Sequence, residues 1–241
     1  MRVLSLNIWQ GKLLEPLITF IQREAPQTDV FCFQEMVSSL RPADDIFSTI
    51  AKVLPEFQGF FESIQDGGNG LEEGLALFIR KTYPVDKEGD FFVYRTRNAM
   101  IGDDWRTLGR NFQFIQFPKD GKEYTLVNFH GLADGKGRED SDERVAQSSK
   151  LKDFLMTVSG TKIVCGDFNL TLNTRSLSII DEGMRNLIRD YGITSTRNQH
   201  FPYPDQYCDY ILTDNDVTVK EFVVLQDEVS DHLALRLDWE E

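Results

Sequence analysis

Positive charge is what this 241-residue sequence is short of: 26 Lys and Arg stand against 39 Asp and Glu, a formal net charge of −13. Duplex DNA is held largely by Lys and Arg contacts to phosphate. Tight, non-specific duplex binding is therefore not expected, although net charge does not describe a local groove. Cysteine is scarce too. Cys32, Cys165 and Cys208 are odd in number and far apart, which argues against a disulfide framework and for a reducing compartment. They have no Cys-x-x-Cys spacing and sit in apolar, strand-like contexts, so buried core thiols are expected and a thiolate zinc site is not. No apolar run approaches the length of a bilayer span. The apolar stretch after Met1-Arg2 is too short for a secretory core. A soluble, cytoplasmic chain is the expectation. Internal repeats, low-complexity tracts and Pro/Gly/Ser-rich linkers are also missing, so residues 1–241 read as one domain.

What is present is a succession of short β-rich runs and helical patterns. Residues 3–8 alternate as a first strand, and Leu13, Leu14, Leu17, Ile18 and Ile21 follow helical spacing up to Ala25-Pro26. Residues 30–33 read as a buried strand ending at Gln34-Glu35. Ile46, Ile50, Val53 and Leu54 suggest a helix closed by Pro55. Strands are expected at 57–64 and 75–79, with a turn at Asp66-Gly67-Gly68-Asn69-Gly70 between them. Runs at 112–117 and 124–129 flank Lys119-Asp120-Gly121 as a hairpin. Ser141 is placed to cap a helix reaching about Leu155. Further strands are expected at 163–165, 210–212, 217–225 and 233–237. The hairpins imply mixed, mostly antiparallel sheets, and two sheets packed face to face with helices outside would bury this much apolar strand.

Polar residues recur where these strands end. Asn7 follows Leu4-Ser5-Leu6; Glu35 follows Phe31-Cys32-Phe33-Gln34; His130 follows Val127-Asn128-Phe129. Gly166-Asp167-Phe168-Asn169 closes another strand, Gln206-Tyr207-Cys208-Asp209 opens one, and Ser230-Asp231-His232 precedes the last. Strand ends gathered on one edge of a sandwich hold reactive groups on rigid supports. Glu35, Asn7 and Asp231 offer the hard oxygen ligands that magnesium prefers. A metal held there would polarise a phosphoryl oxygen and stabilise the leaving group. Asp167 suits the activation or orientation of a water, and Asn169 could hold that water or a phosphate oxygen. His232 suits donation to phosphate, with Asp209 fixing its tautomer, and His130 would be a second donor. Taken singly, each of these has a bland reading: a loop cap, a surface pair, a turn glycine at Gly166.

The order of the six pieces resembles the endonuclease/exonuclease/phosphatase superfamily, which includes deoxyribonucleases, apurinic endonucleases, sphingomyelinases, deadenylases, inositol polyphosphate 5-phosphatases and tyrosyl-DNA phosphodiesterases. The resemblance spans residues 4–235. It implies a four-layer α/β/β/α sandwich and a magnesium- or manganese-dependent hydrolase of phosphate esters. It also implies Glu35 as the main metal ligand with Asn7 and Asp231 nearby, and Asp167 and Asn169 orienting nucleophile and phosphate. His232, backed by Asp209, would act as base or phosphate clamp. Arg144 and Gln147 resemble an Arg-x-x-Gln element that is structural or substrate-facing, and Arg144 and Arg197 are taken as substrate-binding. Tyr210 stands after Asp209 where inositol phosphatases have arginine, and basic arms typical of DNA repair enzymes are lacking.

Two loops are less decided. Residues 196–204 carry Arg197, His200 and the aromatics Phe201 and Tyr203, and read either as a surface loop or as a platform for bases. Residues 131–138 are glycine-rich without nucleotide-binding spacing. They read as a loop beside His130 in which Lys136 and Arg138 could meet phosphate. The expected partner is a phosphate-ester substrate, nucleic acid or a nucleotide-linked molecule first, and a small molecule or lipid head group as the alternative. No protein partner is expected. A catalytically silent binding protein is disfavoured, because no expected catalytic position is substituted.

Overall fold

The computed structural model describes residues 1–68, 70–202 and 207–240. Asn69 in the expected turn, Tyr203 and Pro204 in the aromatic loop and Gln206 before Asp209 lie outside the described residues. In chain order the elements are β1 (Arg2–Asn7), α1 (Leu14–Glu24), β2 (Val30–Ser39), α2 (Ile46–Val53), β3 (Phe57–Asp66), β4 (Leu71–Arg80), β5 (Lys87–Tyr94), β6 (Arg110–Lys119), β7 (Lys122–His130), α3 (Asp142–Thr157), β8 (Thr161–Asp167), α4 (Arg175–Asp181), β9 (Met184–Asn186), α5 (Leu187–Asp190), β10 (Asp209–Asp214), β11 (Thr218–Val224) and β12 (Leu235–Glu240). They form two six-stranded sheets, ordered β11-β12-β1-β2-β4-β3 and β5-β6-β7-β8-β10-β9. Each sheet has one parallel pair, β1 with β2 and β7 with β8, among antiparallel neighbours.

Period-two alternation explains the layering. In β1 and β2, Leu4, Leu6, Phe31 and Phe33 join Leu17, Phe20, Ile21 and Ile50 of α1 and α2 in one core. The intervening Val3, Val30 and Cys32 belong to the larger core that contains Leu126, Cys165 and Tyr210 of the second sheet. Helices α3 and α4 cover that sheet's other face, where Leu151, Leu155, Leu177 and Ile180 are buried. The result is the four-layer α/β/β/α sandwich. Between the sheets Gln34 Nε2 donates to Asn128 Oδ1 at 2.6 Å, and Asn128 Nδ2 donates to the carbonyls of Phe33 and Ala76 in the first sheet. Buried amides demand such partners, so this pair fixes how the two sheets meet just below the site.

Local chemistry sets the boundaries. Asp45, Ser141 and Thr174 cap α2, α3 and α4 by accepting from the backbone N–H three residues on. The β6–β7 hairpin turns at Asp120 (φ 49°) and Gly121 (φ 83°), the left-handed pair that an Asp-Gly turn provides.

Three features differ from the sequence reading. First, β2 does not stop at Gln34-Glu35 but runs to Ser39. Its pairing with β4 shifts between Phe33 and Met36, so Glu35 sits in a β-bulge with φ 54°. Second, Gly166 marks no turn. It lies inside β8, where a Cβ would meet the carbonyl oxygen of Phe129 at 1.9 Å, so two parallel strands approach too closely for any side chain. Third, β5, α4, β9 and α5 are additional elements. β5 is an edge strand interrupted by Gly89 and charges, and the other three span three to seven residues, too short for periodicity to register.

Candidate active site

Strand direction gathers the polar positions. Asn7 ends β1 beside Gln34 of the parallel β2. His130 ends β7 opposite Asp167, which ends β8, and Asp209 opens the antiparallel β10 opposite Asp167 again. Asp231 and His232 precede β12, which runs antiparallel to β1. All six reach one edge of the sandwich. Glu35 would point away from this edge in a regular strand; the bulge re-aims it, and Asn7 Nδ2 donates both to Glu35 Oε1 (3.0 Å) and to Asp167 Oδ2 (3.1 Å) in the other sheet. Glu35, His130, Asp167, Asp231 and His232 line a cavity of about 250 Å3, with Asn169 and Arg197 also on its wall. Trp9, Gln10, Glu35 and Asn169 all have positive φ and all border it. Left-handed backbone at non-glycine residues is costly and concentrates at functional sites.

Asp167 is the centre. Its Oδ1 accepts from the Asn169 backbone N–H at 2.9 Å. Its Oδ2 lies 3.8 Å from His130 Nε2 and 3.6 Å from His232 Nε2. Burial alone would raise its pKa, but the His232 and His130 rings, with Arg197 and Arg138, hold the carboxyl well below its ordinary value. Asp167 is thus a buried carboxylate on the cavity wall.

The two histidines differ. His232 Nδ1 lies 2.8 Å from Asp209 Oδ1. Asp209 Oδ2 also accepts from Thr196 Oγ1 (2.7 Å) and from the Cys208 thiol (3.1 Å). Burial and Arg197 lower the His232 pKa, yet Asp209 and Asp167 outweigh them and raise it. Among the described residues His130 has no such second carboxylate. Burial and then Arg110 push its pKa down to about 3, so it is a neutral imidazole.

Arg197 is brought into the site: its Nη1 donates to Asp231 Oδ2 at 2.9 Å, its Nε to Cys208 Sγ at 3.2 Å, and its guanidinium lies 4.1 Å from the Phe201 ring centroid. Arg144 is not. It is buried, and it donates to the carbonyls of Leu132, Glu139 and Gly137 and to Asp134, while Gln147 accepts from the Leu132 N–H. Both therefore tie down the glycine-rich loop. That loop and residues 105 and 201 border a second cavity of about 410 Å3, lined by Trp105, Arg138, Asn169 and Phe201. His200 packs near Trp9, with ring centroids 6.5 Å apart. Asn169 directs its side-chain Nδ2 to the Gly131 carbonyl at 3.2 Å, so its amide also anchors this loop.

Sequence reasoning missed Arg110, Thr196 and the surroundings of Cys208. Cys32 and Cys165 lie in the core as expected, where burial and then the neighbouring Cys165 raise the Cys32 thiol. Cys208 is buried but not in an apolar context: it touches Asp209, Arg197 and His232. Its strand-start position next to Asp209 was the available signal. Asp167, Cys208, Asp209 and His232 place ligand atoms within 4.8 Å of one another, so this buried cluster could hold a metal ion. Glu35 and Asp231 add carboxylates on the same cavity wall. That oxygen-rich set suits a hard divalent cation, because Asp209 and His232 already bind each other.

A sequence profile described as the Endonuclease/Exonuclease/phosphatase family matches residues 4–232. Solved structures share the fold over the full chain. One is an endonuclease/exonuclease/phosphatase family protein from Leptotrichia buccalis, with 19% identity and a TM-score of 0.77 over 100% of both chains. A mannosyl-6-phosphatase from Bacteroides thetaiotaomicron has 20% identity and a TM-score of 0.77, again over 100% of both chains. TDP2 of D. rerio, complexed with single strand DNA product, has 16% identity and a TM-score of 0.75 over 100% of this chain and 99% of that one. A comparison with curated proteins returned no match.

Proposed function

The chain belongs to the endonuclease/exonuclease/phosphatase family, and on that premise we propose that it is a magnesium- or manganese-dependent hydrolase of phosphate esters, a phosphodiesterase acting on nucleic acid or a nucleotide-linked substrate. The observation that carries the reading is the convergence of Glu35, Asp167, Asp231 and His232 on one cavity, with Asp209 bonded to His232 behind it. Glu35, Asn7 and Asp231 would hold the ion, which when bound supplies charge neutralisation at a phosphoryl oxygen. Asp167, ionised and fixed by Asn7 and the Asn169 N–H, orients the attacking water or takes its proton. His232, held by Asp209 with Nε2 towards Asp167, donates to a phosphate oxygen in its charged form. His130 is a neutral second donor. Asn169, through backbone and side chain, keeps Asp167 and the Gly131 loop in register.

Trp105, Phe201 and Arg138 beside the catalytic cavity support a nucleotide-bearing substrate, because flat rings and guanidinium planes stack on bases. The net charge of −13 supports short or single-stranded substrates over long duplex. The same acidity favours the second reading, a phosphatase or phosphodiesterase for a small molecule or head group, and the shared fold includes both a mannosyl-6-phosphatase and a protein with bound single strand DNA product. No described helix is long and apolar enough to cross a membrane. The deciding experiment is a panel with magnesium or manganese: single-stranded DNA, RNA, supercoiled and abasic duplex, tyrosyl-linked ends, inositol phosphates and sugar phosphates. Preferential cleavage of single strands or nucleotide-linked ends is expected. Turnover confined to sugar or inositol phosphates would replace the first reading with the second, and no turnover at all would favour a silent binding protein.

A further inference from the structure

We propose that Arg197 is a built-in second cation of the active site, fixed on Asp231 so that the cavity takes one divalent ion and is closed to a second. The proposal rests on the reading of the cavity as a metal-dependent site and adds what sets the number of ions there.

Two groups of donors meet at the cavity. Glu35 with its partner Asn7 is one. Asp167, Asp231 and His232 are the other: His232 Nε2 lies 3.6 Å from Asp167 Oδ2 and 3.9 Å from Asp231 Oδ1. Two carboxylates and an imidazole nitrogen gathered in this way are a donor set for a divalent ion, and paired ions roughly 3.5–4 Å apart are a common arrangement for phosphate-ester cleavage. Arg197 already stands in this second group. Its Nη1 donates to Asp231 Oδ2 at 2.9 Å, its Nε to Cys208 Sγ at 3.2 Å, and its charge also faces Asp209 and Asp167.

The backbone builds this placement. Arg197 forms an isolated antiparallel bridge with His232, the Leu233 N–H donates to the Thr196 carbonyl at 2.9 Å, and Asn198 Nδ2 donates to the Ser230 carbonyl at 2.8 Å. The Phe201 ring lies against the guanidinium, and the Arg197 side chain is 7% exposed, so it is a fixed group and not an arm that swings aside. A guanidinium keeps its charge at any working pH. A unit positive charge a few ångströms from a divalent ion in a partly buried site repels it strongly. Arg197 therefore neutralises Asp231 without a metal and occupies its Oδ2. Oδ1 is left for the ion that Glu35 holds, and His232 Nε2 is left for the substrate.

The test counts ions and needs no substrate. Manganese is titrated into the full chain, and the free ion is followed by electron paramagnetic resonance in the wild type, Arg197→Gln and Arg197→Ala. The wild type should bind one ion per chain over the range in which Arg197→Gln takes up two. The second ion should bind Arg197→Gln at least about tenfold more tightly than it binds the wild type, because a unit charge has been removed from beside Asp231 while hydrogen-bonding capacity is kept. Arg197→Ala should behave as Arg197→Gln does, so either variant decides if the other fails to fold. Two ions in the wild type overturn the proposal without any variant, and a single ion in a folded Arg197→Gln or Arg197→Ala overturns it as well. Both of those results leave the metal-dependent reading standing. A wild type that binds no manganese strikes that reading itself, and the proposal with it, so the two failures are distinguishable.

Discussion

His130 and His232 are both buried and both reach Asp167, yet their neighbourhoods push them in opposite directions. The His232 side, built from β10 and the segment before β12, supplies Asp209 at 2.8 Å in addition to Asp167. The His130 side, built from β6 and β7, supplies Arg110 instead. Burial is common to both and so cannot explain the difference. The second carboxylate does: it favours the charged form of His232, which suits it to meeting phosphate, while His130 remains a neutral donor.

The largest expected effect is on the charged side. His232→Ala should lower turnover by about 10²–10⁴-fold with folding intact. Asp209→Asn should cost as much or less, and the double variant should be little worse than His232→Ala, because the two act as one unit. Steady-state kinetics on any cleaved ester checks this, and losses that multiply would break the pairing. Next comes His130→Ala. A neutral donor contributes roughly 0.5–1.5 kcal/mol, so roughly a tenfold loss or less is expected. A loss equal to that of His232→Ala would erase the contrast between the two sides.

Stability should carry the same contrast with opposite sign. His130, held at about 3 when folded against an ordinary 6.5, binds fewer protons in the native state between those values. Stability is therefore lost as pH falls through that window, and His130→Asn should flatten the loss in urea unfolding between pH 6.5 and 4.5. The raised His232 contributes fully below its ordinary value and loses that contribution as pH rises through its folded value. His232→Asn should accordingly be more destabilised relative to wild type at pH 6 than at pH 9. Variants that shift both curves the same way would contradict the opposed environments. The smallest effect concerns the thiol beside Asp209. Burial, Asp167 and Asp209 raise the Cys208 pKa against the pull of Arg197, so iodoacetamide at pH 7.5 should leave it unmodified in the native protein. Rapid labelling detected by mass spectrometry would show that the His232 side is open.

Much of this arrangement is legible in the sequence because strand ends announce themselves. An apolar alternation that breaks at Asn7, His130 or Asp167 places a polar group at an edge, and the sandwich follows from the number of such strands. Glu35 was legible as a residue but not as a bulge, since φ 54° in the middle of a ten-residue strand has no signature in composition. Gly166 looked like a turn because close strand approach and turning both call for glycine. Arg110 and Thr196 were illegible for a different reason. Their partners come from distant segments, Thr196 to Asp209 and Arg110 to the cavity wall, and no local pattern marks a residue whose role is set by tertiary proximity. Arg144 shows the converse: the motif is visible, but only the structure shows its guanidinium closing on loop carbonyls.

The central claim, that Asp167 and a divalent cation act together on a phosphate ester in this cavity, is tested most directly by one assay. Wild type and Asp167→Asn are compared on a generic phosphodiester with magnesium, with excess chelator, and after magnesium is restored. The account predicts turnover that vanishes in chelator and returns with the ion, and an Asp167→Asn rate lower by about 10²–10⁴-fold at unchanged melting temperature. Turnover that persists in chelator, or a near-normal rate in Asp167→Asn, would contradict it.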